Sequence, residues 1–120
     1  MQMHIGGDKP PSKEKVVKNM KRIGELGLKV YVTEFDVNMH GVKGSKDKKE
    51  LIQAKIYGDM LSACLEVGAK TCPNFGYLGL TDRQTWYHGI GIDDGNPLMF
   101  DDDFNPKQAF FQVRKALENQ

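Results

Sequence analysis

Ten consecutive residues, Leu28 to Val37 (LKVYVTEFDV), restrict the fold more than any other part of the chain. The run is short, apolar and β-branched, and it is bounded by Gly27 and Asn38, the pattern of a buried strand. Segments of helical period flank it. Ahead of it, Ser12 after Pro10-Pro11 supplies an N-cap, and Val16, Val17, Met20, Ile23 and Leu26 form an apolar face that stops at Gly27. Behind it, Ile52, Ile56, Met60, Ala63 and Val67 make a second stripe, with Tyr57, Leu61 and Cys64 beside it. There Asp47 and Glu50 stand in the capping-box relation, and Gly68 ends the helix. A third helix opens at Asn105-Pro106-Lys107-Gln108 and would bury Ala109, Phe110, Val113 and Leu117.

A weak repeat orders these elements. Leu26-Gly27-Leu28-Lys29-Val30 recurs 41 residues later as Val67-Gly68-Ala69-Lys70-Thr71, at the same helix-to-strand junction. Repeated βα units of this length predict parallel strands with helices laid over them, an α/β fold. A doubly wound open sheet and consecutive units of a (β/α)8 barrel both fit, although a full barrel needs about 250 residues. The 120 residues and 39% apolar content suffice for one small packed domain over residues 1–120. With 17 basic and 16 acidic side chains, the charge gives no reason to expect nucleic acid or an anionic membrane as partner. The basic stretch Lys43 to Lys49 is broken by Gly44, Ser45 and Asp47 and reads as a solvated loop. No apolar run approaches the roughly 20 residues of a membrane span. Met1-Gln2-Met3-His4 reads as the start of a strand, not as a signal peptide. Cys64 and Cys72 lie eight apart, which leaves a disulfide and two buried thiols both open.

Chemistry in a parallel sheet gathers at the C-terminal ends of its strands. Gln2 and His4 fall on the first strand, Glu34 and Asp36 near the end of the second. A spacing of two puts each pair on one face of its strand, which in a barrel is the lumen. A carboxylate facing inward is costly unless its charge is used or paired.

The flanking residues carry a resemblance. Val30-Tyr31-Val32-Thr33-Glu34-Phe35-Asp36-Val37 resembles the strand-seven signature of glycoside hydrolase family 10, the endo-β-1,4-xylanases, and Gln2-x-His4 resembles the family's strand-six pair. Gly79-Leu80-Thr81-Asp82-Arg83-Gln84-Thr85-Trp86 is similar to its strand-eight loop, and Pro97-Leu98-Met99-Phe100-Asp101 with Asn105-Pro106-Lys107 to its closing segment. The resemblance runs from residue 2 to about residue 117. It implies a partial (β/α)8 barrel, strands six to eight, that acts on xylan or xylooligosaccharides. It also implies Glu34 as nucleophile of a retaining mechanism, with His4 hydrogen-bonded to Glu34 and Asp36 to orient the nucleophile. Gln2 and Trp86 would contact substrate, Trp86 covering the sugar beside the cleavage point. Cys64 and Cys72 sit where many members carry a cysteine pair, here two residues further apart than a common spacing. Localisation by resemblance is extracellular.

Two departures qualify the expectation. The family's first strand-eight tryptophan falls on Leu78, so Phe75, Tyr77 or Tyr87 would have to supply the missing aromatic surface, with core packing favoured for Phe75. The family's acid/base glutamate closes an Asn-Glu pair on strand four, and no such pair precedes the strand motifs: Glu118-Asn119 is at the tail in reverse order, and Glu14 and Glu25 lie on the first helix. The reading therefore keeps a catalytically inactive carbohydrate-binding or self-assembling barrel segment as its alternative, and gives little weight to an unrelated doubly wound enzyme. Open sheet edges predict association with another copy or with the missing barrel part. No cofactor is implied. His4, His40 and His88 lack metal-ligand spacing, and Asp93-Asp94 and Asp101-Asp102-Asp103 lack a calcium-loop pattern.

Overall fold

Strand β2 (Tyr31–Asn38) is the middle of a three-stranded parallel sheet, between β1 (Gln2–Gly6) and β3 (Asn74–Tyr77). Helices α1 (Lys13–Glu25), α2 (Lys46–Val67) and α3 (Gln108–Glu118) alternate with the strands, and a long connection with two 3₁₀ turns, Asp82–Gln84 and Trp86–Ile90, separates β3 from α3. The computed structural model describes residues 1–119. The α/β reading with three consecutive parallel βα units matches this architecture.

Register decides what each face of the sheet carries. β1 pairs with β2 so that Gln2 lies opposite Glu34 and His4 opposite Asp36. Toward β3 the register jumps: Val32 pairs with Phe75 but Phe35 with Tyr77, so β2 uses three residues where β3 uses two. An extra residue of this kind is a β-bulge, and it reverses the in-out alternation. Before it, Val30 and Val32 are buried under the helices; beyond it, Phe35 and Val37 are. Glu34, Asp36 and Asn38 consequently share the opposite face with Gln2 and His4.

The helix side is a single apolar cluster. Met3, Ile5, Val32, Phe35 and Val37 of the sheet meet Met20, Ile56, Tyr57, Met60 and Leu61 of the helices. α2 packs on both α1 and α3, which explains why it is the longest helix and why it buries residues all round, Gln53 included.

Several local expectations are corrected. Leu28 is 58% exposed and the strand begins at Tyr31, because Gly27 turns the chain with φ of 76° and Leu28 lies in the connector. Leu26 is 73% exposed at the C-cap of α1, past the last turn that faces the core. Ser45, not Asp47, caps α2, its side chain accepting from the Lys48 N–H at 3.3 Å. α3 starts at Gln108 rather than at Pro106, since Lys107 is extended and gives its backbone N–H to the Met99 carbonyl at 2.9 Å. Ala116 fills the place expected for Leu117, which is exposed. The repeat has a plain cause: Gly27 and Gly68 both take positive φ, 76° and 79°, where the helix before each strand stops.

Cys64 on α2 and Cys72 ahead of β3 are joined by a disulfide. It ties the end of the central helix to the strand that follows. Closing so short a loop removes about 2–3 kcal/mol of chain entropy from the unfolded state. Replacing both cysteines by alanine is expected to lower the unfolding free energy by that amount in urea titrations. A change within about 0.5 kcal/mol would mean the crosslink constrains little.

Candidate active site

The polar face of the sheet is built around two carboxylates of unlike environment. Asp36 has no exposed surface, whereas the Glu34 side chain retains 30% of its exposure. Burying a carboxylate requires that its lone pairs be satisfied. For Asp36 they are: Oδ2 accepts from His4 Nδ1 at 2.8 Å and from Trp86 Nε1 at 3.0 Å, and Oδ1 accepts from the Tyr87 hydroxyl at 3.1 Å.

His4 stands between the two acids. Its Nε2 lies 3.3 Å from Glu34 Oε2, while Nδ1 faces Asp36. The ring thus bridges the two carboxylates, one nitrogen to each. Gln2 completes the set, donating from Nε2 to Glu34 Oε1 at 3.0 Å. The indole of Trp86 meets the His4 ring edge-on at 5.0 Å between centroids and lies 4.3 Å from the ring of Tyr87. Glu34, an acceptor on an open face, is thus held at both of its oxygens, by Gln2 and by His4.

The connection after β3 delivers Trp86 and Tyr87 to this place. Where β3 ends, residues 95–97 take over its pairing: Val37 N donates to Pro97 O at 3.1 Å and Met39 N to Gly95 O at 2.8 Å. A Cβ at Gly95 would stand 2.2 Å from Asn38 Oδ1, so a larger residue there would displace the Asn38 amide. Gln53, buried in α2, donates to both Val37 O and Asn96 O, at 2.9 and 2.6 Å, and the buried Tyr57 hydroxyl donates to Pro97 O at 2.7 Å.

Gln2, His4, Glu34, Asp36, Trp86 and Tyr87 therefore come together. Tyr77 does not. Its ring stacks on Tyr57 at 6.1 Å and meets Phe35 and Phe75 edge-on, in the helix-side cluster, so a sugar-facing role has no support in this geometry. Tyr77 follows Phe75 by two residues on β3, so both rings face the helix side, and the extra residue in β2 brings Phe35 to meet them there. Phe75 packs in the same cluster and Leu78 is half-buried. Tyr87 reaches the site but is itself buried, its hydroxyl committed to Asp36. His40 pairs with Asp94 at 2.6 Å on the surface, and His88 is exposed. Among the described residues, no group of three His, Cys, Asp or Glu side chains is placed to hold a metal ion.

The arrangement has known counterparts. The sequence profile of Glycosyl hydrolase family 10 matches residues 1–116. The chain belongs to this family. Endo-1,4-beta-xylanase B of Thermotoga neapolitana is 36% identical over 107 residues, 88% of this chain and 30% of that protein. Xylanase 10B from Thermotoga petrophila RKU-1, solved in complex with xylobiose, superposes with a TM-score of 0.87 at 30% identity, over 98% of this chain and 35% of its own. Native xylanase10C from Cellvibrio japonicus does so with a TM-score of 0.86 at 27% identity, over 98% of this chain and 28% of its own. The chain thus spans about a third of the length of the family 10 relatives it matches, as a partial segment of their TIM barrel.

Residues that the motifs alone did not single out are Asp82, Lys107 and Gln53, all buried and polar. Asp82 and Lys107 lie inside the quoted family 10 runs, so the signal available was a charged residue at a place where the chain must pack. Their pairing across 25 residues is a tertiary fact.

Three tyrosines give the site and core a pH signature. Burial pushes the phenols of Tyr57, Tyr77 and Tyr87 up, Tyr77 to about 12, and the negative charge of Asp36 adds to the effect on Tyr57 and Tyr87. In the unfolded chain these phenols ionise near pH 10, whereas the folded state still holds their protons. Their contribution is present below about pH 10 and is lost as pH rises toward the folded values. Unfolding free energy should fall as pH rises from about 10 toward about 12, and less steeply in Tyr87→Phe. A flat profile across that window would contradict the burial of these hydroxyls.

Proposed function

We propose that residues 1–120 are the strand-six-to-eight part of an endo-1,4-β-xylanase barrel and carry the nucleophile, Glu34, of a retaining hydrolysis of xylan. The observation behind this reading is the contrast between the two acids. Glu34 is open to solvent and held at both oxygens by Gln2 and His4, while Asp36 is closed off with both oxygens occupied. Glu34 would attack the anomeric carbon of a bound xylose, forming a glycosyl-enzyme bond as the leaving sugar departs, and water would later release the glycosyl unit. His4 holds the attacking carboxylate in place, and Asp36 fixes the imidazole. Trp86, 40% exposed, offers an indole face to the sugar, and Gln2 lies on the open side.

The leaving sugar needs a proton from a second carboxyl group about 5 to 5.5 Å from the first. Asp36 cannot give it, being buried and accepting three hydrogen bonds. The acid/base carboxyl in this reading comes from outside these 120 residues, either from the rest of a barrel or from an associated chain. The outer edges of β1 and β3 are where such parts would dock. The disulfide suits an oxidising, extracellular setting. The same single open carboxylate favours, as a second reading, a module that binds sugar without cleaving it.

Xylobiose titrated into the isolated chain is expected to bind without reducing-sugar release. Supplying the remaining strands of a family 10 barrel as a second polypeptide is expected to bring turnover, which Glu34→Gln abolishes while leaving xylobiose binding in place. Turnover that survives Glu34→Gln would remove Glu34 from the mechanism. Binding with no turnover under any complementation would leave the binding module.

A further inference from the structure

The 3₁₀ turns that present Trp86 and Tyr87 form an excursion of the chain whose two ends meet at a buried ammonium group. Lys107, at the N-cap of α3, is 6% exposed. Its Nζ donates to Asp82 Oδ2 at 2.9 Å, to Asn96 O at 2.7 Å and to Leu98 O at 2.8 Å. Asp82 lies just before Trp86 and Tyr87; Asn96 and Leu98 lie just after the excursion returns. Asp82 closes the ring from its side, accepting the Leu98 N–H on Oδ1 at 2.8 Å and giving its own N–H to Phe100 O at 3.0 Å.

Stability alone does not call for this lysine. A buried ion pair is often replaced by apolar residues of similar volume at no loss, because desolvating both charges offsets their attraction. What an apolar residue cannot do is direct three donors. An ammonium has three N–H groups, and here each has its own acceptor, one on the outgoing limb of the loop and two on the returning limb. We infer that Lys107 is a positioning residue: it pins the base of the loop between Asp82 and Leu98, and thereby sets the Trp86 and Tyr87 donors on Asp36, which in turn orients His4 against Glu34. The consequence for xylan cleavage rests on the role given to Glu34 above; the positioning itself does not.

Trp86 is the single tryptophan of the chain, so its indole N–H gives one resolved proton resonance that reports its bond to Asp36. Two variants of the full chain test the inference. Lys107→Met leaves Asp82 buried and unpaired, so a loss of stability is expected there as well. Lys107→Met combined with Asp82→Leu removes both charges and should fold and recover part of that stability, the Leu98 N–H and the Asn96 and Leu98 carbonyls having lost these partners. In both, the indole N–H should shift upfield and exchange with solvent about two- to tenfold faster than in the parent chain. A folded double variant with the indole resonance and its exchange rate unchanged would overturn the inference. So would failure of the double variant to fold, since Lys107 would then serve core stability. The resonance needs no turnover, so a failure of Glu34→Gln to abolish hydrolysis would leave this result standing.

Discussion

A carboxylate with no surface must find hydrogen-bond donors for both oxygens or lose several kcal/mol of hydration, and Asp36 is such a group. Meeting that need brings together β1 through His4, β2 through Asp36 itself, and the post-β3 loop through Trp86 and Tyr87. Remove the charge of Asp36 and three parts of the chain lose a common acceptor. The environments of the two acids follow from this arrangement. Because His4, Trp86 and Tyr87 all turn toward Asp36, Glu34 is left with Gln2 and the second nitrogen of His4 among the described residues and stays partly open.

The bulge in β2 makes this possible without spoiling the core. With regular alternation, Val32 and Phe35 could not both lie under the helices; the extra residue lets them do so and turns Glu34 and Asp36 outward from the same side. Bulges disrupt the ladder locally, so they persist where the re-aimed side chains matter. Here the disruption is confined to the β3 side, and β1 pairs with β2 in continuous register past both acids. The supporting shell is buried and polar: Gln53 and Tyr57 from α2, and Asp82 with Lys107 beneath the loop. Gln53, Tyr57 and Lys107 donate to backbone carbonyls of the loop or of β2, and Asp82 accepts the Leu98 N–H, which is how a long connection without strands of its own is held to one course.

Membership of family 10 and the segment nature of the chain fit together in this geometry. The sheet has one apolar face, covered by its own helices, and one polar face that carries the two acids. In the solved relatives, which are about three times as long as the matched region, the same segment forms part of a TIM barrel.

Much was legible in the sequence because it depends on neighbours along the chain. The glycines at 27 and 68, the serine cap of α1 and the alternation of strand and helix are local matters of backbone and period. So is the placing of Gln2, His4, Glu34 and Asp36 on one side of their strands, since a spacing of two fixes it. Leu26 and Leu117 misled because apolar spacing says which residues share a helix face but not where the neighbouring element stops covering it. Tyr77 misled because a spacing of two ties it to the face of Phe75, while only packing decides that this face is the helix side. The sequence by itself determined the βα order and the chemistry of the polar residues. Only the tertiary structure decided which carboxylate is buried and which is open, because burial and hydrogen-bond satisfaction depend on residues 32 to 51 positions apart meeting in space.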